Sequence, residues 1–206
     1  MNVDVGGGTS KVAIVQGGKV IDTCAVEVGA RLIAMDENGV INRLEDTALK
    51  FAKMAGIDGL KLGATMSDEQ KEKFSQVLCN SLFEVLERGK LSPEVQNLLL
   101  TPNLDFTDPI HAVMFSGGVS EFIYGYEKRN LGDLGVQLGK KVRARANQLG
   151  GGKIPLRPAE VRIRATVIGA SQYTVQVSGN TIYLSHPELL PLRNQQVVTP
   201  LFEQKE

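Results

Sequence analysis

The residues with the clearest chemical potential lie within the first ten positions of the chain. Three successive glycines, Gly6, Gly7 and Gly8, leave their backbone amides free of side chains. Bare amides in a tight turn suit phosphate oxygens. Asp4 comes just before this turn, where a carboxylate can hold a hydrated Mg²⁺ ion, and Thr9 just after it adds a hydroxyl donor. The pattern predicts a turn that grips phosphate groups.

The sequence around this turn predicts a β-hairpin. Val3 and Val5 alternate around Asp4, and residues 12–15 form an apolar run with three β-branched members, so a strand stands on either side of the glycines. A P-loop needs a Gly-Lys-Ser/Thr ending and a following helix, and a dinucleotide fingerprint needs a third glycine where Lys11 stands. Both are excluded. A plain glycine-rich hairpin turn without a ligand stays open as the alternative.

Composition narrows the class of protein. The chain has 206 residues and a formal net charge of zero, which does not indicate nucleic acid or an anionic membrane as a partner. No run approaches the roughly 18 apolar residues of a membrane span, and the sequence before the first strand is not expected to act as a signal peptide. Cys24 and Cys79 lack metal-site spacing and are predicted to be buried or half-buried thiols in a reducing cytoplasm. His111 and His186 are interpreted as structural or surface residues because neither has a partner at ligand spacing.

The elements that must position the turn begin with a predicted meander of three antiparallel strands. A Gly-Gly turn at residues 17–18 leads into a third strand over residues 20–28. Residues 31–35 are predicted to be partly helical, and residues 40–41 to be a short strand. From residue 44 to 108 the apolar residues recur at helical spacing, with a capping box at Ser67, which predicts a helical insertion in an α/β body.

A second glycine motif follows the insertion. Residues 110–115 are predicted to be a buried strand, and Gly117 and Gly118 separate its end from a helix start. Such a glycine pair lets a ligand approach the backbone, although an ordinary strand-to-helix turn is the alternative.

The remaining chain is predicted to be helical and then β-hairpin. A helix over residues 133–148 carries four cations in its second half, which are interpreted as a solvated face, with an anion or partner patch as the weaker alternative. Those cations are Lys140, Lys141, Arg143 and Arg145. A last helix is expected over residues 158–168 and a closing hairpin over residues 173–184.

Three motifs then stand in a fixed order: residues 4–9 in a hairpin, residues 115–119 at a strand end, and the small-residue segment 165–170 at a helix end. This order resembles the second lobe of the actin, Hsp70 and sugar-kinase ATPases. The fold class is therefore expected to be α/β: a ribonuclease H-like (actin-like ATPase) lobe whose mixed sheet is opened by the antiparallel meander. We expect this lobe to span residues 1–185 and residues 186–206 to be a connector and tail of a truncated longer protein.

A closer resemblance is to the ethanolamine ammonia-lyase reactivating factors, the EutA family. It is carried by residues 4–10, 28–32, 116–121, 161–170 and 190–194. The resemblance implies an ATP-dependent, chaperone-like factor of ethanolamine utilisation that exchanges damaged cobalamin for adenosylcobalamin on ethanolamine ammonia-lyase. It also implies ATP or ADP with Mg²⁺ as cofactors, the lyase as partner, and a cytoplasmic location associated with a bacterial microcompartment.

The same resemblance implies roles for individual residues. Those with implied roles are Gly6, Gly7, Gly8, Thr9 and Ser10 for the β- and γ-phosphates, Asp4 for Mg²⁺ through water, and Gly117, Gly118 and Val119 for the adenosine. The superfamily's first phosphate motif, an Asp-x-Gly-Thr/Ser turn, is absent from these 206 residues. A missing N-terminal lobe of the same chain is therefore expected to complete the cleft. The stretch alone is expected to bind ATP weakly and hydrolyse it poorly, and no catalytic residue is assigned within it.

Three other functions remain open on such a fold. A general Hsp70-like chaperone would carry the same motifs. A small-molecule kinase would need an acid or base for its substrate in the cleft, and no such residue is identifiable in the sequence. A filament or scaffold protein would use nucleotide as a structural ligand and would polymerise in response to it.

Overall fold

The computed structural model of the chain describes residues 1–172. Met1–Ile168 form one compact unit, and Gly169–Glu206 form a second, of which the end of one helix is described. The predictions of a closing hairpin over residues 173–184, of a connector over residues 186–206 and of a structural or surface role for His186 lie outside the described residues.

Six strands and six helices make up the described part of the chain. The strands are β1 (Asn2–Val5), β2 (Ser10–Gln16), β3 (Lys19–Val26), β4 (Ile33–Met35), β5 (Ile41–Leu44) and β6 (Met114–Ser116). The helices are α1 (Asp46–Ala55), α2 (Asp68–Leu86), α3 (Pro93–Gln96), α4 (Ser120–Ile123), α5 (Gly135–Ala146) and α6 (Ala165–Gln172). Among residues 1–172, no helix is both long and apolar enough to cross a membrane.

The main sheet is mixed, as predicted. Strands β1, β2 and β3 form the expected antiparallel meander, and β6 pairs in parallel with the free side of β1, which gives the order β3-β2-β1-β6. Alternation along β1 sends Val3 and Val5 into the core and leaves Asn2 and Asp4 on the opposite, partly exposed face. The pair β4 and β5 forms a separate small antiparallel sheet.

The end of α1 and the start of α2 lie where the sequence indicates. Ser67 caps α2 in a complete capping box with Gln70, and Gly56 ends α1 in the left-handed conformation. The rings of Phe51 in α1 and Phe74 in α2 pack with their centroids 6.0 Å apart, in the same buried cluster as Val3, Val5 and Phe115 of the sheet. One hydrophobic core therefore joins these helices to the main sheet.

The helical prediction for residues 31–35 is wrong. This segment makes a tight turn and then forms β4, in which Ile33 pairs with Leu44 of β5. All three residues of β4 are buried, so strand pairing and burial outweigh the local helical preference.

Two predicted boundaries are also wrong. The strand expected over residues 110–115 is limited to Met114–Ser116, and Val113 makes only an isolated bridge to Leu156. The last helix, expected from residue 158, begins at Ala165. The residues before Ala165 are bound to the second glycine motif instead, because the Arg162 carbonyl accepts a hydrogen bond from the Gly117 amide at 3.0 Å.

Candidate functional site

Two glycine loops open on the same edge of the main sheet. We call residues 6–9 the first glycine loop, which follows β1, and residues 117–119 the second glycine loop, which follows β6. Because β1 and β6 are parallel neighbours, both loops leave the carboxyl ends of adjacent strands. The Val119 amide donates to the Val5 carbonyl at 3.1 Å and fixes one loop beside the other. In open α/β sheets this edge is where ligands bind.

The first glycine loop presents exposed backbone. Gly6 donates its amide to the Thr9 carbonyl at 3.0 Å, which closes the turn. Gly7 and Gly8 are exposed, and within residues 1–172 their amides have no hydrogen-bond partner. None of the three glycines has a positive φ, so the left-handed backbone does not explain their presence. The loop can therefore offer at least two adjacent amide donors to an anion.

Residues 29–31, which were not singled out from their residue types, hold the first glycine loop in place through hydrogen bonds. The Ala30 and Arg31 amides donate to the Gly6 and Gly7 carbonyls at 3.2 and 2.6 Å. A methyl group on Gly29 would lie 2.2 Å from the Gly7 carbonyl oxygen, so only glycine fits there. The Ala30 carbonyl in turn accepts from the Leu134 amide at 3.0 Å, beside the start of α5. Two sequence signals pointed to this segment: the isolated glycine at residue 29, and the family resemblance that residues 28–32 carry.

Ser10 has a supporting role in the geometry. Its hydroxyl donates to the Val28 carbonyl at 2.7 Å, and the residue is fully buried. The side chain therefore faces away from the exposed amides and ties β2 to the supporting segment. Thr9 is partly buried and is the last residue of the first glycine loop, directly before β2.

Asp4 lies between the two loops. Its carboxylate accepts a hydrogen bond from the Ser116 hydroxyl at 3.2 Å, and the described residues provide no ion pair for it. Gly117 makes room for this side chain, because a methyl group there would lie 3.0 Å from one carboxylate oxygen and 2.5 Å from the Val5 carbonyl. Gly117 also has φ of 82°, a conformation that favours glycine.

Gly8 and Gly118 differ from the glycines that the fold requires. A methyl group on either would meet no atom of the described residues within 4 Å, and neither has a positive φ. Neither packing within the described residues nor backbone conformation requires a glycine at these two positions, and both follow the carboxyl ends of strands in the main sheet. Val119, by contrast, is 3 % exposed and its side chain belongs to the core.

The second glycine loop is held by aromatic and cationic side chains that sequence reasoning did not single out. The Tyr124 hydroxyl accepts from the Phe115 amide at 2.9 Å and donates to the Arg157 carbonyl at 2.7 Å. Burial raises the pKa of Tyr124, which keeps the hydroxyl available as a donor. Arg162 pairs with Glu121 at 3.1 Å and stacks 4.2 Å above the ring of Tyr126.

The cations of α5 join helices rather than forming a free patch. Lys141 pairs with Glu72 of α2 at 2.6 Å, and Arg145 pairs with Glu87 at 2.8 Å. Arg143 donates to the Ile123 carbonyl at 3.0 Å, and Lys140 is exposed.

The remaining candidate ligands are dispersed. Across residues 1–172, no group of three or more His, Cys, Asp or Glu residues could hold a metal ion. Mg²⁺ in nucleotide sites is commonly held by one or two carboxylates together with phosphates and water, so Asp4 alone fits such an ion. Cys24 and Cys79 are free and buried, as predicted, and burial raises the pKa of the Cys79 thiol to about 11. His111 is exposed, in keeping with a surface role.

These features define the class: an α/β protein in which two glycine loops and an acidic side chain share the carboxyl edge of a mixed sheet. The chain belongs to the family described as Ethanolamine utilisation protein EutA, whose model matches residues 1–206. No solved structure matches the chain.

Two curated relatives are similar along almost the whole chain. The ethanolamine ammonia-lyase reactivase EutA of Escherichia coli is 31% identical over 98% of this chain and 43% of the relative. The protein of the same description from Salmonella typhimurium is 32% identical over 97% of this chain and 42% of the relative. The chain therefore spans less than half the length of the curated relatives it matches.

Proposed function

We propose that this chain is the nucleotide-binding lobe of an ATP-dependent reactivating factor for ethanolamine ammonia-lyase. The reactivating factor would exchange damaged cobalamin for adenosylcobalamin on the lyase. The observation that carries the nucleotide part is that Gly8 and Gly118, which have open space among the described residues, lie in loops at the carboxyl ends of adjacent parallel strands. Family membership supports the lyase as partner.

In this proposal the two loops divide the nucleotide between them. The exposed amides of Gly7 and Gly8 bind the β- and γ-phosphates, and Thr9 adds its hydroxyl. Asp4 would hold a hydrated Mg²⁺ ion, which would supply positive charge beside the phosphates. The adenosine lies against Gly118, where no side chain of residues 1–172 would obstruct it.

The proposal also assigns the fold to the actin-like ATPase lobes. The mixed sheet, its antiparallel meander and the helices of residues 46–96 agree with such a lobe. More than half of each curated relative lies outside the match, and we assign the other half of the cleft to that remainder. A nucleotide held from one side only is expected to bind weakly and to be hydrolysed slowly.

A calorimetric titration of this chain with ATP, with and without Mg²⁺, tests the nucleotide site. We expect Mg²⁺-dependent binding that weakens at least about tenfold in Asp4→Asn, because the substitution removes the charge but keeps an acceptor for Ser116. Asp58→Asn is the matched control, since Asp58 is an exposed loop carboxylate. Equal affinity in the two variants would exclude Asp4 from the site.

The partner is tested separately with the whole protein. Ethanolamine ammonia-lyase carrying a damaged cobalamin is mixed with the full-length factor, ATP, Mg²⁺ and adenosylcobalamin, and the recovery of lyase activity is followed. The proposal expects recovery with the unchanged factor and little with Asp4→Asn. Equal recovery without ATP would contradict the ATP-dependent exchange.

A further inference from the structure

The side chain of Arg31 lies along the first glycine loop. A methyl group built on Gly7 would come within 3.3 Å of the Cβ of Arg31 and 3.8 Å of its Cγ and Cδ. The aliphatic stem therefore runs over Gly7, and the Arg31 amide donates to the Gly7 carbonyl at 2.6 Å. The backbone of Arg31 is fixed to the loop while its guanidinium extends from the edge of the loop.

Among residues 1–172, the guanidinium of Arg31 has one distant charged partner. Its Nε lies 4.0 Å from a carboxylate oxygen of Asp133, at the outer limit of an ion pair, and the Arg31 side chain is 53% exposed. Asp133 is held more firmly, because its other oxygen accepts from the Gly135 amide at 2.8 Å and its side chain is only 10% exposed. The arginine is thus the member of the pair that is free to change partner.

We propose that Arg31 is the cation that binds the terminal phosphate of the nucleotide, and that it exchanges Asp133 for that phosphate when the nucleotide binds. This inference rests on the proposed nucleotide site. Neither glycine loop contains a cationic residue, so a polyphosphate at those amides would lack a counter-charge from the loops themselves. A guanidinium matches phosphate oxygens through two parallel hydrogen bonds and is weakly hydrated, which favours the exchange.

Lys11, the other cation near the site, is less suited to bind the terminal phosphate, because it lies beside Asp4 rather than along the first glycine loop. It is the register partner of Asp4 across β1 and β2, so the two side chains share one face of the sheet, beside the carboxylate. Arg31 reaches the loop itself, on the side where Gly7 leaves space for its stem.

The first test compares ligands that differ in phosphate number. Calorimetric affinities for ATP, ADP and adenosine are measured with Arg31→Gln, Arg31→Lys and the matched control Arg43→Gln. Arg43 is 57% exposed and also makes one ion pair, with Glu45. We expect Arg31→Gln to weaken ATP binding about tenfold and ADP binding by a smaller factor, while the affinity for adenosine stays unchanged. Arg31→Lys should recover part of the lost ATP affinity.

The second test measures the exchange of partners. Asp133→Asn keeps an acceptor for the Gly135 amide but removes the charge that competes for Arg31, so ATP should bind about twofold tighter. In the double variant with Arg31→Gln this gain should disappear, because the competition no longer exists. An equal gain in both backgrounds would overturn the exchange.

The outcomes separate this inference from the proposed function. Loss of ATP and adenosine binding by the same factor in Arg31→Gln would show a structural effect and overturn the phosphate contact. If the original chain binds ATP and Arg31→Gln binds it with the same affinity, the role of Arg31 is contradicted while the nucleotide site stands. Absence of ATP binding by the unchanged chain and by the full-length protein would overturn the nucleotide site and this inference together.

Discussion

At the scale of single residues, the glycines of the site fall into two kinds. Gly29 and Gly117 are required by the fold, since a methyl group on either would overlap backbone atoms. Gly8 and Gly118 have open space and ordinary φ, so the fold alone does not require them. The sequence shows the positions of all four but not this division, because the atoms that crowd Gly29 and Gly117 come from distant segments of the chain.

This division predicts opposite results for two alanine substitutions. Gly29→Ala should lower the free energy of unfolding by about 2 to 3 kcal/mol, because the new methyl group meets the Gly7 carbonyl. Gly8→Ala should change it by no more than about 0.5 kcal/mol but should weaken Mg²⁺–ATP binding, since the methyl group occupies the space left for phosphate. Urea denaturation and calorimetry measure the two effects. Gly8→Ala with unimpaired ATP binding would count against the first glycine loop as the phosphate site.

At the scale of elements, some helix and strand boundaries can be predicted from neighbouring residues alone, and others cannot. The start of α2 follows from Ser67 and Gln70, which satisfy each other's backbone amides without help from the rest of the chain. The strand β4 depends on pairing with β5, and the late start of α6 depends on Arg162 docking against Gly117. Such long-range contacts leave no periodic pattern in the sequence.

The capping box gives a prediction for α2. Ser67→Ala should lower the free energy of unfolding by about 1 kcal/mol, because the Gln70 amide loses its acceptor. Ser67→Asp is the matched control and should cost little, since a carboxylate also accepts from this amide and favours a helix N-terminus. Chemical denaturation followed by circular dichroism compares the two variants. Equal losses would show that the cap contributes nothing specific.

At the scale of the whole molecule, the buried Cys79 thiol makes the free energy of unfolding depend on pH. Cys79 lies in the core at 1% exposure, and burial raises its pKa from 9.0 to about 11. The folded state therefore holds this proton more tightly than the unfolded state. The resulting stability is fully present below pH 9 and is lost as the pH rises toward 11.

This linkage predicts a pH-dependent difference between the unchanged chain and Cys79→Ala. Over the interval from pH 9 to 11, unfolding of the unchanged chain should become easier by about 2 kcal/mol relative to the variant. Denaturant titrations at fixed pH values across the interval measure the difference. Parallel curves for the two proteins would show that the Cys79 thiol is not desolvated in the folded state.

Backbone hydrogen bonds connect the first glycine loop to the start of α5. The Gly6 carbonyl is bonded to the Ala30 amide, and the Ala30 carbonyl to the Leu134 amide, so a loop at the sheet edge and a helix start are linked through rigid peptide planes. Lys141 and Glu72 extend the linkage from α5 to α2. A change in the first glycine loop would therefore bear directly on the packing of α5, whose residues Leu138, Val142 and Ala146 are buried in the core.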